Sequence, residues 1–269
     1  MPDAPLLDLQ QVQRMLQAQR IGRHFHHEVE CTSTNDIAKE MLHSGAPNGT
    51  VVVAESQTAG RGRFQRPWTS APGHNLLFST IVRWPRDGFA GPWLTLAGAL
   101  SVRAAVQGLY SLKAFLKWPN DVVLTLGDGL QKLAGVLTEA TTLGPDEQGA
   151  VIGIGLNVNQ VWLAAEQDPE RPRVSLAAAL GRVIDREPLL ATCLLGFDER
   201  FQTLLESGSR SLVSEARASL TGIGKPARVV TPGREWRGTL IGIDDDYHLL
   251  MQDVTGNPQR ISVGEVLSV

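Results

Sequence analysis

With 269 residues, 42% hydrophobic and 20% charged, the chain has an ordinary globular composition and enough length for one large core and a smaller one. A formal charge of -3 gives no global basic field, so generic nucleic-acid binding gains no support and any anion site has to be local. Cys31 and Cys193 lack C-x-x-C spacing, the first twenty residues lack the order of a signal peptide, and no uncharged apolar run nears about 18 residues, which together exclude a disulfide framework and a membrane span and imply a cytoplasmic setting.

Leu6, Leu9, Val12, Met15 and Leu16 recur at helical spacing and predict a short amphipathic helix. A strand over residues 24–31 follows, and then Thr32, Ser33, Thr34 and Asn35 supply cap chemistry for a helix with Ile37, Ala38, Met41 and Leu42 on one face. Residues 51–55 and 76–82 read as strands entering and leaving a polar loop, and residues 93–109 carry the three- and four-residue steps of a central buried helix. Four β-leaning runs (115–118, 122–126, 133–139 and 151–158) are joined by links too short for parallel crossovers, including Gly127-Asp128-Gly129, so the sheet must be mixed or antiparallel. Helices are expected over 175–180 and 188–205, the second starting with Pro188. Beyond Gly224 the texture changes to short β runs (227–230, 236–243, 247–251 and 260–263), which predicts a small SH3-like barrel and a division into units 1–220 and 221–269. The Asp244-Asp245-Asp246 run reads as a solvated turn between two of these.

Five stretches have residue types that carry chemistry. In Glu55 to Trp68, glycines alternate with Arg61 and Arg63, and Arg66 follows, a pattern suited to an anion-binding loop because glycine admits backbone N–H groups and guanidinium forks bind phosphate or carboxylate bidentately. Lys117-Trp118-Pro119-Asn120-Asp121 ends a strand and presents an amide and a carboxylate at its tip, although Asn-Asp is also plain turn chemistry. Lys132, read as the start of a strand, precedes the small residues Ala134 and Gly135, while Gly153, Gly155, Asn157 and Asn159 alternate with apolar residues as if a ligand or another backbone came close. Ser33-Thr34-Asn35 is the fifth, both a cap and a set of helix N–H groups aimed at whatever lies before it. His24, His26 and His27 lack a third partner at metal-ligand spacing.

Taken in order, C-T-S-T-N, E-S-Q-T-A-G-R-G-R, K-W-P-N-D, K-L-A-G and G-I-G-L-N-V-N resemble the biotin protein ligase family across about residues 30 to 160. The resemblance implies an α+β fold, a mixed β-sheet flanked by helices related to class II aminoacyl-tRNA synthetases, with the SH3-like barrel at its C-terminal end. It implies an ATP-dependent, AMP-forming enzyme that activates biotin with MgATP to biotinyl-5′-AMP and passes biotin to a lysine of a biotin carboxyl carrier domain. Ser33, Thr34, Asn35 and Gln57 are then the contacts to biotin's ureido end, and Gly60, Arg61, Gly62 and Arg63 the loop over biotin and the adenylate. Arg66, Trp68, Asn120, Asp121 and Asn157 fall on the nucleotide side, with Asp121 a ligand to Mg²⁺. Lys132 and Arg63 are the catalytic pair, and Gly135 and Gly155 leave room for ligand. Trp68 walls the pocket or acts as a plain anchor.

Two departures stand out. Gln65 replaces a glycine of the family loop, which makes a left-handed backbone less easy there. Only some twenty residues precede Ile21, against the roughly sixty of a DNA-binding extension in bifunctional members, so no DNA partner is expected. A lipoate or octanoate ligase and a non-catalytic biotin- or nucleotide-binding regulator stay open as alternatives, as does homodimerisation through sheet edges.

Overall fold

The computed structural model describes residues 5–16, 20–85, 91–127 and 129–268; Asp128 of the expected Gly127–Gly129 turn lies outside the described residues. The chain runs α1 (Leu9–Leu16), β1 (Phe25–Cys31), α2 (Thr34–His43), β2 (Val51–Gln57), β3 (Leu76–Pro85), α3 (Pro92–Tyr110), β4 (Ala114–Lys117), β5 (Asp121–Leu126), β6 (Gly129–Thr142) and β7 (Glu147–Leu156). These seven strands form one sheet in the order β1-β2-β3-β7-β6-β5-β4, in which β1 and β2 are parallel and every other neighbour is antiparallel. The short links of the sequence thus give the mixed sheet they require.

The two faces of this sheet divide by residue parity. Leu76, Phe78, Val82 and Trp84 of β3 enter the main core, shared with Leu94, Ala97 and Leu100 of α3. Ile81 and Val151 point the other way, onto Ala38 and Leu42 of α2. The close seat of α3 depends on Gly98, since a Cβ there would lie 3.2 Å from Val136 and 3.4 Å from Ile152. Behind α3 lie α5 (Arg186–Ser207) and α6 (Arg210–Ser219), with the short α4 (Leu176–Leu180) before them. The sequence reading lacked α6. Its buried stripe is only Leu212, Val213 and Ala216, set among Ser and Arg, which is too sparse a pattern to stand out from a linker.

The second sheet holds β8 (Pro226–Thr231), β9 (Arg234–Ile243), β10 (Leu249–Asp253), β11 (Pro258–Ile261) and β12 (Glu265–Ser268), antiparallel throughout in the order β11-β10-β9-β8-β12. It is the small SH3-like unit expected, with one strand more than predicted: β12, four residues long, is too short to carry an alternation. The two sheets are joined where the K-W-P-N-D turn meets Tyr247. Trp118 Nε1 donates to the Tyr247 carbonyl at 2.9 Å, and the Tyr247 hydroxyl donates to the Pro119 carbonyl at 3.0 Å. Trp118 is therefore core, and burial pushes the Tyr247 phenol well above its ordinary value.

Candidate functional site

A cavity of about 410 Å³ opens on the α2 face of the large sheet, bounded by the start of α2, the loop after β2, the facing parts of β5, β6 and β7, residues 168–173 and the start of β12. All the site residues expected from the sequence line it except Gly60, which stands behind the wall. A Cβ on Gly60 would come within 2.7 Å of the Trp68 carbonyl, so this glycine permits the loop to fold.

One end of the cavity is a buried polar cluster. Ser33 holds the N-cap position of α2 with an extended backbone, yet its side chain makes no capping bond, which corrects the sequence reading. The first helical N–H is satisfied from outside instead: Thr34 donates its amide and its hydroxyl to Gln57 Oε1, at 2.7 and 3.1 Å. The Ser33 hydroxyl is left lining the cavity. Ser79 Oγ, fully buried on β3, lies 2.7 Å from Thr34 Oγ1 and 2.6 Å from Asn35 Oδ1, and Asn35 Nδ2 donates to Glu139 Oε2 at 2.7 Å. Gly153 makes room for this arrangement, because a Cβ at that position would lie 2.1 Å from Asn35 Oδ1.

The glycine–arginine loop closes on itself and on both sheets. Gly62 N–H donates to the Arg66 carbonyl and Trp68 N–H to the Gly60 carbonyl, each at 2.8 Å. Between them Phe64 and Gln65 both take φ near +57°, so the left-handed turn is made without the family glycine. Such a conformation costs a non-glycine residue roughly 1–2 kcal/mol. Two guanidiniums lie over the Phe64 ring, Arg63 at 4.9 Å and Arg66 at 5.6 Å from its centroid.

The three loop arginines have different partners. Arg61 is bidentate on Asp36, at 2.7 and 2.5 Å, and 3.4 Å from Glu139, while Lys39 bridges the same two carboxylates. The Arg61 hydrogen bonds hold the Asp36 carboxyl down at about 2, and the same contacts raise Arg61 itself. Arg63 donates to the Gly264 carbonyl at 2.7 Å, and burial lowers its guanidinium. Arg66 pairs with Glu265 at 2.5 Å, and Arg171 meets the other oxygen of that carboxylate at 3.1 Å. Burial alone would raise Glu265, but these two guanidiniums hold it below the usual range.

Lys132 is fixed by a bulge rather than by a strand start. β6 begins three residues earlier, and Val122 faces Ala134 while Val123 faces Lys132, so Leu133 is the extra residue. Leu133 and Ala134 both enter the core, which turns Lys132 onto the same face as Gly135. Lys132 Nζ lies 2.7 Å from Asp121 Oδ1 and 5.4 Å from the centroid of Trp68. Its backbone is pinned by the loop after β7, with N–H donating to the Pro172 carbonyl and C=O accepting from Val174 N–H. Lys117 lines the same end, and burial lowers its ammonium below the ordinary lysine value.

The amides and glycines of the site have close partners within the protein. Asn120 Nδ2 is spent on the Val136 carbonyl at 2.9 Å, and Asn157 Nδ2 on the Lys132 carbonyl at 3.3 Å, so both amides brace the strands that carry the site. The close approach to Gly155 and Gly135 is by protein: a Cβ on Gly155 would stand 2.4 Å from the Trp68 indole, and one on Gly135 3.0 Å from Lys132 Nζ. Trp68 is thus a wall of the cavity, and its buried Nε1 has no hydrogen-bond partner among the described residues. Among the described residues the cavity offers Mg²⁺ three carboxylates, Asp121, Asp168 and Glu265, each already paired with a cation, which fits an ion held mainly by phosphate oxygens and not an all-protein cage. Sequence reasoning missed Ser79, Asp36, Glu139, Arg171 and Glu265. Of these, Asp36 alone adjoins a recognised stretch, directly after Asn35.

The model for the biotin/lipoate A/B protein ligase family matches residues 28–157. The bifunctional ligase/repressor BirA of Bacillus spizizenii is 32% identical over 241 residues, covering 90% of this chain and 73% of that protein. The biotin–[acetyl-CoA-carboxylase] ligase of Mycobacterium tuberculosis is 33% identical over 243 residues, covering 87% and 85%. Among solved structures, a biotin protein ligase from Aquifex aeolicus in complex with biotin and ATP superposes with a TM-score of 0.75 at 26% identity, over 91% of this chain and 97% of that one. Relatives of this similarity, matched over 73% and 85% of their own length, and a fold that brings the five motifs to one cavity show that the chain belongs to the biotin protein ligase family.

Proposed function

We propose that the chain joins biotin to a protein lysine in two steps, through biotinyl-5′-AMP. The observation that carries this reading is the polarity of the cavity: a neutral hydrogen-bonding cluster at Ser33, Thr34, Asn35 and Gln57 at one end, and Lys132 with Asp121, Arg63 and Arg66 at the other. A bicyclic urea with a carboxylate tail matches both ends.

In the first step a biotin carboxylate oxygen attacks the α-phosphorus of ATP and the bond to the bridging β-phosphate oxygen breaks, releasing pyrophosphate. Lys132 is oriented to the carboxylate and α-phosphate, where charge grows in the transition state; one well-placed donor of this kind contributes on the order of 3 kcal/mol. Arg63 and Arg66 supply permanent charge beside the phosphates, and Asp121 would help hold a Mg²⁺ brought with ATP, which would offset further phosphate charge when bound. In the second step a lysine amine of a biotin carboxyl carrier domain attacks the acyl carbon, AMP leaves, and the amine proton is lost. The loop from Gly60 to Trp68 keeps water from the mixed anhydride between the steps.

The hydrogen-bonding end favours a urea ring over the dithiolane of lipoate, because an unmatched apolar ring would leave these buried groups unpaired. The non-catalytic alternative draws on Gln65 in place of the family glycine; against it, Gln65 adopts the left-handed backbone all the same. We take residues 1–220 as the catalytic unit and 221–269 as its partner unit, in a cytoplasmic protein; no helix of the described residues is long and apolar enough to cross a membrane. Biotin-dependent exchange of labelled pyrophosphate into ATP tests the reading: exchange with biotin supports it, exchange with lipoate only selects the lipoate ligase, and none with either leaves a binder.

A further inference from the structure

We propose that Glu139 is a positioning residue: it fixes the amide of Asn35 and the Arg61 end of the glycine–arginine loop in one geometry, and so sets how tightly biotin is held. The proposal rests on the reading of Asn35 as a contact to biotin's ring.

Glu139 does not line the cavity; it sits on β6 opposite Val151, on the face that carries α2. Its two oxygens gather three elements. Oε2 accepts from Asn35 Nδ2 at 2.7 Å and lies 3.4 Å from an Arg61 nitrogen, while Oε1 lies 3.0 Å from Lys39 Nζ. Asp36 closes the ring by binding Arg61 and Lys39. Two carboxylates thus face two cations, and the cluster is neutral as a unit. Burial opposes the Glu139 charge, yet its bonds to Asn35 and Lys39 hold the carboxyl below its ordinary value, so it is ionised at neutral pH.

An ionised carboxylate only accepts hydrogen bonds. Asn35 is therefore obliged to turn its NH₂ toward Glu139, which leaves Oδ1 toward Ser79 and Gly153 at the polar end of the cavity. That end then offers an acceptor to a ring N–H. Without Glu139 the amide NH₂ keeps only a longer bond to the Leu137 carbonyl at 3.4 Å, with Ser79 on Oδ1, so its orientation is held less firmly, and Arg61 retains only Asp36. The same residue thereby links the ring-binding end to the loop that covers it.

The test is equilibrium binding of biotin alone, by calorimetry, to the full-length protein and to Glu139→Ala, Glu139→Gln, Asn35→Ala and the double Glu139→Ala/Asn35→Ala variant. The expected result is about tenfold or greater weakening in Glu139→Ala, the scale of a lost hydrogen bond to a charged group. Glu139→Gln, whose amide oxygen still accepts from Asn35, is expected to stay within about threefold of the wild type. The double variant is expected to bind no worse than the weaker single variant, because both changes remove one interaction. Glu139→Asp keeps the charge and withdraws it by one methylene; an intermediate loss there carries the test if alanine prevents folding. Wild-type affinity in Glu139→Ala with weakened Asn35→Ala overturns the Glu139 role alone, and so do multiplicative losses in the double variant. Wild-type affinity in Asn35→Ala overturns the ring contact and the proposal with it.

Discussion

Trp68 lies so close over Gly155 that a Cβ on the glycine would come within 2.4 Å of the indole Cε2 and 2.6 Å of Cζ2. Alternation of strand β7 puts Gly153 and Gly155 on the cavity face and Ile152 and Ile154 in the main core, so the glycines are there to admit side chains to the sheet surface. Gly155→Ala is expected to push the indole outward, lowering kcat/KM for pyrophosphate exchange at least about tenfold while costing roughly 1–3 kcal/mol of stability. Gly129→Ala on the neighbouring strand, where an added Cβ meets nothing within 4 Å, is the control and should do neither. Equal effects at both positions would show that packing against Trp68 is not the constraint.

Lys132→Ala removes the cation that the β6 bulge turns onto the cavity face. Pyrophosphate exchange should fall by about 10²–10³-fold, the range found for loss of one donor to developing charge. Thermal unfolding should move by only a few degrees, since the Lys132 and Asp121 side chains keep 28% and 16% exposure and the pair is not fully buried. Unchanged exchange would remove Lys132 from the chemistry.

Gln65→Gly tests the loop. Gln65 holds φ at +57°, where glycine carries no Cβ penalty, and the gain of about 1–2 kcal/mol is partly offset by glycine's greater freedom in the unfolded chain, roughly 0.4–1 kcal/mol. Thermal stability should be unchanged or slightly higher, and exchange activity at least equal to that of the wild type. A loss of more than about 1 kcal/mol would mean that the Gln65 side chain itself holds the loop.

The large sheet, its mixed direction, α2, α3 and the motif residues were legible because each signal is contiguous. Period-two runs gave strands, period-3.6 runs gave helices, and five short motifs named the cavity wall. The rest comes from pairings between distant strands. Ser79 is one polar residue inside the apolar run Leu76 to Val82, and nothing local tells that it faces Thr34 and Asn35. Glu265 opens a four-residue strand at the far end of the chain and meets Arg66 and Arg171 only through the packing of one sheet on the other. The position of Lys132 was misread for the same reason: a bulge is a property of two strands, and it decides which face a side chain takes. The capping role of Ser33 failed because Gln57, on another strand, satisfies the helix N-terminus first.

The Asp36–Arg61 pair predicts an acid limb in stability. Arg61's hydrogen bonds hold the folded Asp36 carboxyl at about 2, against about 3.9 in an unfolded chain. A carboxyl with a lowered folded value stabilises the protein fully above its unfolded value, and that contribution is lost as pH falls from about 4 toward 2. The Asp36 side chain is 36% exposed, so solvent screening reduces the nominal effect, and about 1 kcal/mol is expected to remain. Asp36→Asn should therefore be less stable than the wild type by about that amount at pH 7 in urea unfolding, with the two curves converging near pH 2. Arg61 would keep only its longer contact to Glu139, so the variant should also release biotin faster at neutral pH. A difference that stays constant from pH 7 to 2 would assign the loss to packing and not to the ion pair.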